Sequence, residues 1–148
     1  MTRPGGRWLV AAAYLDGGAA LLHLAIIAGG PSWYRFFGAG ERMARMAEHG
    51  SPRPALMAMA IAVVLATWAA YALAGAGLVG RLPLMRTALV AITAVYLMRS
   101  LLLVPALALT GREVSPFLWW SSIVLLGYGV VHGIGTFQVW PTLPPPSR

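Results

Sequence analysis

The sequence predicts an all-α integral membrane protein, a four-transmembrane-helix bundle with a short interfacial helix between helices 1 and 2. Three observations carry that expectation. Four apolar runs, residues 8–28, 55–79, 84–109 and 116–140, each approach or exceed the roughly 20 residues that cross a bilayer as a helix. Only 10% of the 148 residues are charged and 59% are hydrophobic, whereas a soluble domain carries about 25% charged residues to cover its surface. The remaining long connection, between the first two runs, holds a segment over 41–49 whose apolar and charged residues fall on opposite helical faces. These elements form one membrane domain over 1–148.

The first run starts behind Arg3 and Arg7, a basic flank like that of a signal peptide. Asp16 interrupts the apolar stretch, which continues past His23, so an uncleaved span is expected. Its insertion balance is close: Leu, Ile and Val at about −0.3 to −0.6 kcal/mol each offset an Asp at roughly +3 kcal/mol. Gly29, Gly30 and Pro31 end it, and Trp33, Tyr34, Phe36 and Phe37 follow as an aromatic belt at headgroup level. In the interfacial helix, Met43, Met46 and Ala47 share one face, and Glu41 and Arg45 pair at i,i+4.

The second span carries alanines at a spacing of four, Ala58, Ala62, Ala66, Ala70 and Ala74, read as a packing face for another helix. It closes on Gly75, Gly77 and Gly80, which match the dinucleotide fingerprint G-x-G-x-x-G in form only. The preceding run is no short strand, Pro83 follows at once, and Ser100 stands where an acid is required. A tight turn flanked by Arg81 and Arg86 accounts for the glycines. The third span contains Tyr96, Arg99 and Ser100, with Pro105 placed to kink or end it. A short loop makes the third and fourth spans antiparallel neighbours. The fourth has Ser121, Tyr128, His132 and Gly135 on one stripe and a GxxxG pair, Gly129 and Gly133, for close packing. The proline-rich end, from Pro141, is expected to lie outside any helix.

Ionisable residues inside apolar runs point to function, because insertion penalises each one. The candidate intramembrane polar site is Asp16, His23, Tyr71, Tyr96, Arg99, Tyr128 and His132. At 1.5 Å per residue, His23 and Arg99 lie at similar depth, while Asp16, Tyr71, Tyr128 and His132 lie toward the side of the N-terminus. Arg99 has Asp16 as its one intramembrane counter-charge, so the two are expected to pair directly or through water. His23 and His132 differ in depth by roughly 15 Å, too far to flank one haem iron. With three scattered histidines and no cysteine, neither a metal site nor a cofactor is expected. No catalytic residue is assigned.

The chain's charge is all arginine among its basic residues, for a net +7. The arginines stand singly in loops, which fits lipid phosphates and topology and argues against a nucleic-acid partner. Arg3, Arg7, Arg81, Arg86 and Arg148 on the terminal side balance Arg35, Arg42, Arg45, Arg53 and Arg112 on the other. The positive-inside count is therefore a tie. The acids Glu41, Glu48 and Glu113, all opposite the termini, favour cytoplasmic termini in a bacterial inner membrane.

The stretches GGPSWYRFFGAGERMARMAEHG, WAAYALAGAGLVGRLPLMR and YLMRS resemble an uncharacterised family of short bacterial four-helix integral membrane proteins. Some relatives carry the label phosphopantetheine adenylyltransferase. That activity requires a nucleotide-binding α/β fold with a histidine motif near the N-terminus, and this chain has neither. The resemblance implies architecture and adds no activity.

The expected function is binding or transport of a small molecule or proton at the intramembrane polar site. Transport would call for a homo-oligomer, since four spans leave little room for a pore. Two other classes compete. One is a small membrane enzyme acting on a lipid or quinone-like substrate, with histidine as acid–base group. The other is an accessory subunit that docks through its small-residue faces.

Overall fold

A computed structural model describes residue 3 and residues 5–111 and 114–143. Arg112, Glu113 and Arg148, used in the orientation count, and the proline-rich end from residue 144 lie outside the described residues. The fold is all-helical, as expected. It consists of α1 (Arg7–Phe36), α2 (Glu41–Glu48), α3 (Arg53–Ala76), α4 (Met85–Leu109) and α5 (Pro116–Val139), then a 3₁₀ turn over Trp140–Thr142. Of these, α1, α3, α4 and α5 are long and apolar enough to cross a membrane. Their outward faces stay greasy: Leu21, Leu102, Ile123 and Phe137 are all more than half exposed. Such a surface is a liability in water and a requirement in lipid.

The chain divides into two compact units. The first joins the beginning of α1, up to Leu15, to everything from Trp68 onward. Its core is Leu9, Ala12 and Ala13 of α1, Ala72, Ala74 and Ala76 of α3, Met85 and Leu89 of α4, and Val139 and Leu143. Leu9 acts as a knob in two glycine notches. A methyl built on Gly75 would sit 2.6 Å from its side chain, and one on Gly135 would sit 2.8 Å away. Gly77 closes α3 with φ +81°. Its N–H donates to Ala74 O at 3.1 Å and that of Leu78 to Leu73 O at 3.0 Å. That bond pair is the Schellman ending of a helix, so of the glycines in the false dinucleotide fingerprint Gly75 packs α3 and Gly77 terminates it.

Pro105 lies inside α4, which runs to Leu109 as the predicted span does. The expectation that the chain from Pro141 lies outside any helix is corrected for its described part: Trp140–Thr142 make a 3₁₀ turn and Leu143 is buried in the core. Arg86 holds that turn, with its guanidinium 4.9 Å from the centre of the Trp140 ring and Nη2 donating to Leu143 O at 2.9 Å.

The second unit, Asp16–Thr67, contains the rest of α1, all of α2 and the start of α3. Here α1 is two helical segments that meet at Gly30, whose φ of 68° and ψ of −151° are non-helical. Only glycine adopts that region without strain. The expected stop at Gly29–Pro31 is therefore a kink, after which the helix resumes over Pro31–Phe36. Tyr34 departs from the aromatic belt: it is 4% exposed and packs with Ile26, Ala44 and Ala58. Trp33 and Phe36 keep the outer positions, and half-buried Phe37 packs between them and the Tyr34 cluster, with ring centres 4.9–5.6 Å from theirs.

The alanine row of α3 does not keep one face. Ala58, Ala62 and Ala74 are buried, Ala70 is half-buried and Ala66 is exposed. Residues four apart advance about 40° beyond a full turn at 3.6 residues per turn. The buried stripe follows the true period through Leu65 and Ala72.

Candidate functional site

The polar residues of the first unit gather along the seam between the antiparallel helices α4 and α5. The GxxxG pair makes that seam close. A methyl on Gly129 would lie 2.7 Å from the Leu97 side chain and 3.3 Å from its backbone nitrogen, and one on Gly133 would lie 3.4 Å from Thr93. With the backbones this near, the large side chains stack beside the glycines. Tyr96 is the hub. Its ring centre is 5.4 Å from Tyr128, 5.4 Å from His132 and 5.0 Å from Trp68, the last edge-on. His132 is fully buried and Tyr96 nearly so. Tyr128 donates its hydroxyl to Leu15 O at 3.1 Å.

One turn along α4 from Tyr96, Arg99 donates from Nη1 to Ser122 Oγ at 3.2 Å and from Nη2 to Ser121 Oγ at 3.5 Å. Both serines give their own protons to Leu118 O, Ser122 at 2.8 Å and Ser121 at 3.1 Å. Their lone pairs are thereby turned to the guanidinium, and two neutral oxygens satisfy a cation in an apolar helix. Charge alone points to Asp16 as the partner of Arg99; the hydroxyls of the neighbouring helix also accept from its guanidinium. Asp16 is assigned to the other unit; it is fully buried and has a polar or ionic interaction of its own.

Three expected site residues, Tyr96, Tyr128 and His132, are therefore together, with Arg99 next along the same seam. Tyr71 is not in the stack. Its hydroxyl donates to Pro83 O at 3.2 Å and braces the turn between α3 and α4. Charge singles out neither Trp68 nor Ser122, which the structure adds to the seam. A signal for Ser122 exists in the chain, because Ser122, Gly129 and Thr136 stand seven apart and all are buried.

His23 lies in the second unit. Its Nδ1 and Ala19 O, one turn back, are 2.8 Å apart. The half-buried ring lines a cavity of about 300 Å³ together with Ile26, Tyr34, Phe37, Met43 and Ile61, among others. At the edge of this unit α2 is laced to α1 by ion pairs. Arg35 reaches Glu41 at 2.8 Å and Glu48 at 2.7 Å, and Arg45 reaches Glu41 at 3.1 Å. Helical spacing predicts the Arg45 pair and gives no hint of the Arg35 bridge. Arg35 first, and Arg45 second, hold the Glu41 carboxyl down to about 2 from its ordinary 4.5.

Among the described residues, no three His, Asp or Glu side chains come together as a metal-binding group. No protein-family model, curated protein or solved structure matches the chain.

Proposed function

We propose that the chain is a multi-pass protein of a bacterial inner membrane, with cytoplasmic termini, that takes up a proton or small molecule at an intramembrane polar site on the α4–α5 seam. The observation that carries this reading is His132. An imidazole buried completely in a helix of this hydropathy, against the ring of Tyr96, which in turn meets Tyr128, is costly to insert and has no packing advantage over leucine. Of the two cargoes the seam favours the proton. Imidazole, two phenols and two serine hydroxyls, all groups that accept and release protons, occupy roughly 15 Å of α5 and the facing part of α4. Arg99 contributes a fixed positive charge that biases which of them is protonated.

Reconstitution into liposomes with an internal pH dye tests the reading. Under a potassium-diffusion potential, the wild-type chain is expected to acidify or alkalinise the lumen faster than empty vesicles. His132→Phe and Arg99→Gln should each slow that flux at least tenfold. Asp16→Asn tests the second fully buried ionisable position in the same assay. Unchanged flux in both His132→Phe and Arg99→Gln would overturn the reading.

A further inference from the structure

We infer that the cavity beside His23 binds a lipid-soluble molecule that carries a hydroxyl hydrogen-bond donor on an apolar body. The chemistry begins at Ala19. A carbonyl oxygen only accepts, so the 2.8 Å contact makes Nδ1 the protonated nitrogen of His23. In the neutral ring, Nε2 is then a bare lone pair, and it has no protein partner among the described residues. An acceptor left unmade in apolar surroundings is costly, and water is scarce where the walls are Ile26, Phe37, Met57 and Ile61.

A second polar atom points the same way. Tyr34 lines the same cavity with its ring buried, and its hydroxyl also has no protein partner among the described residues. The cavity thus offers one acceptor and one donor in an otherwise greasy wall. Its volume of about 300 Å³ is at the lower end of small-molecule sites, which run from roughly 300 to 1,000 Å³. It suits a single ring or a short chain. Its lining includes Gly38, Ala39 and Met43, the last on the apolar face of the interfacial helix α2, and amphiphiles concentrate at that level of a membrane. A charged headgroup has no counter-charge in this lining. A hydroxyl donates to Nε2 and still accepts from Tyr34.

A phenolic quinol and a long-chain alcohol share that chemistry, and the experiment separates them. The full chain is placed in lipid nanodiscs and titrated with 2-decylhydroquinone, with 1-decanol, and with the methyl ether of each, binding to empty nanodiscs being subtracted. Each hydroxyl compound is expected to bind at least tenfold more tightly than its ether, and whichever hydroxyl compound binds more tightly names the source. His23→Phe should abolish that preference while ether binding persists. Ala58→Phe, which fills the cavity wall, should remove binding of all four probes. With ¹⁵N-labelled histidine in the wild-type chain, the His23 Nε2 resonance should move on addition of the hydroxyl compounds and not the ethers. This last measurement decides the matter if Ala58→Phe fails to fold.

Equal affinity for hydroxyl and ether, a preference that survives His23→Phe, or an unmoved Nε2 resonance would overturn the inference. It is independent of the seam reading, since His132 variants report proton flux and His23 variants report alcohol preference.

Discussion

The two compact units solve the same problem, holding helices together in a greasy chain, by opposite means. The first relies on absence of side chain. Gly75, Gly129 and Gly135 let backbone or Leu9 approach within distances that a methyl group forbids, and the space is closed by stacked rings and small residues. The second relies on charge and conformation. A glycine kink, an ion-pair lattice on α2 and a cavity lined by His23 take the place of close packing. Where lipid is the solvent there is no hydrophobic force between helices, so shape complementarity and hydrogen bonds must suffice. On α2, by contrast, the paired charged side chains stay exposed.

The sharpest way to break this comparison is to fill a notch. Gly135→Leu is expected to destabilise the protein by about 3 kcal/mol, because the added atoms meet the Leu9 backbone as well as its side chain. Gly127 on the same helix has nothing within 4 Å of the position a methyl would take, and Gly127→Leu should change stability by less than about 0.5 kcal/mol. Unfolding in mixed detergent and dodecyl sulfate measures both; equal effects would show that the notch contributes nothing.

Gly30→Ala comes next, at about 2 kcal/mol, since φ of 68° with ψ of −151° is a region alanine avoids. Spin labels at positions 21 and 36 should report a longer separation if the helix straightens. Ser115 caps α5 by accepting from the Leu118 N–H, so Ser115→Ala should cost about 1 kcal/mol and fray the start of α5 in hydrogen exchange.

The smallest effect belongs to the ion pairs, which are solvated and screened. The Glu41 carboxyl is depressed to about 2 from 4.5. Its contribution to docking α2 is therefore fully present above about pH 5 and is lost as pH falls toward 2. Amide exchange in α2 should quicken over that window and in high salt, while exchange at the α4–α5 seam stays constant. Glu41→Gln should flatten the α2 profile.

Much of this is legible in the residues alone. The four apolar helices, the interfacial helix, the Glu41–Arg45 pair and the role of Gly129 and Gly133 all follow from period and composition. What escapes is what period does not encode. Arg35 meets Glu41 and Glu48 across a turn, at separations of 6 and 13 residues, so no helical repeat marks it. A spacing of four puts Ala66 on a buried face because it resembles 3.6 over one turn, yet the two diverge over four. Charge directs the search for a partner of Arg99 toward acids, and the hydroxyls of Ser121 and Ser122 carry no charge to draw attention. Leu9 looks like any leucine until the glycines opposite it are placed in space.

The break at Gly30 also sets a length. As one continuous rod, the 30 residues of α1 would run to about 45 Å, well beyond a hydrocarbon layer of roughly 30 Å. Cut at the glycine, its first segment measures about 34 Å, close to the roughly 36–38 Å of α3, α4 and α5. All four then suit one bilayer thickness with modest tilt. Hydrophobic mismatch costs only fractions of a kcal/mol per Å, yet it sorts proteins among membranes. A single residue without a side chain thus gauges the first helix to the membrane that the other three were already cut to fit.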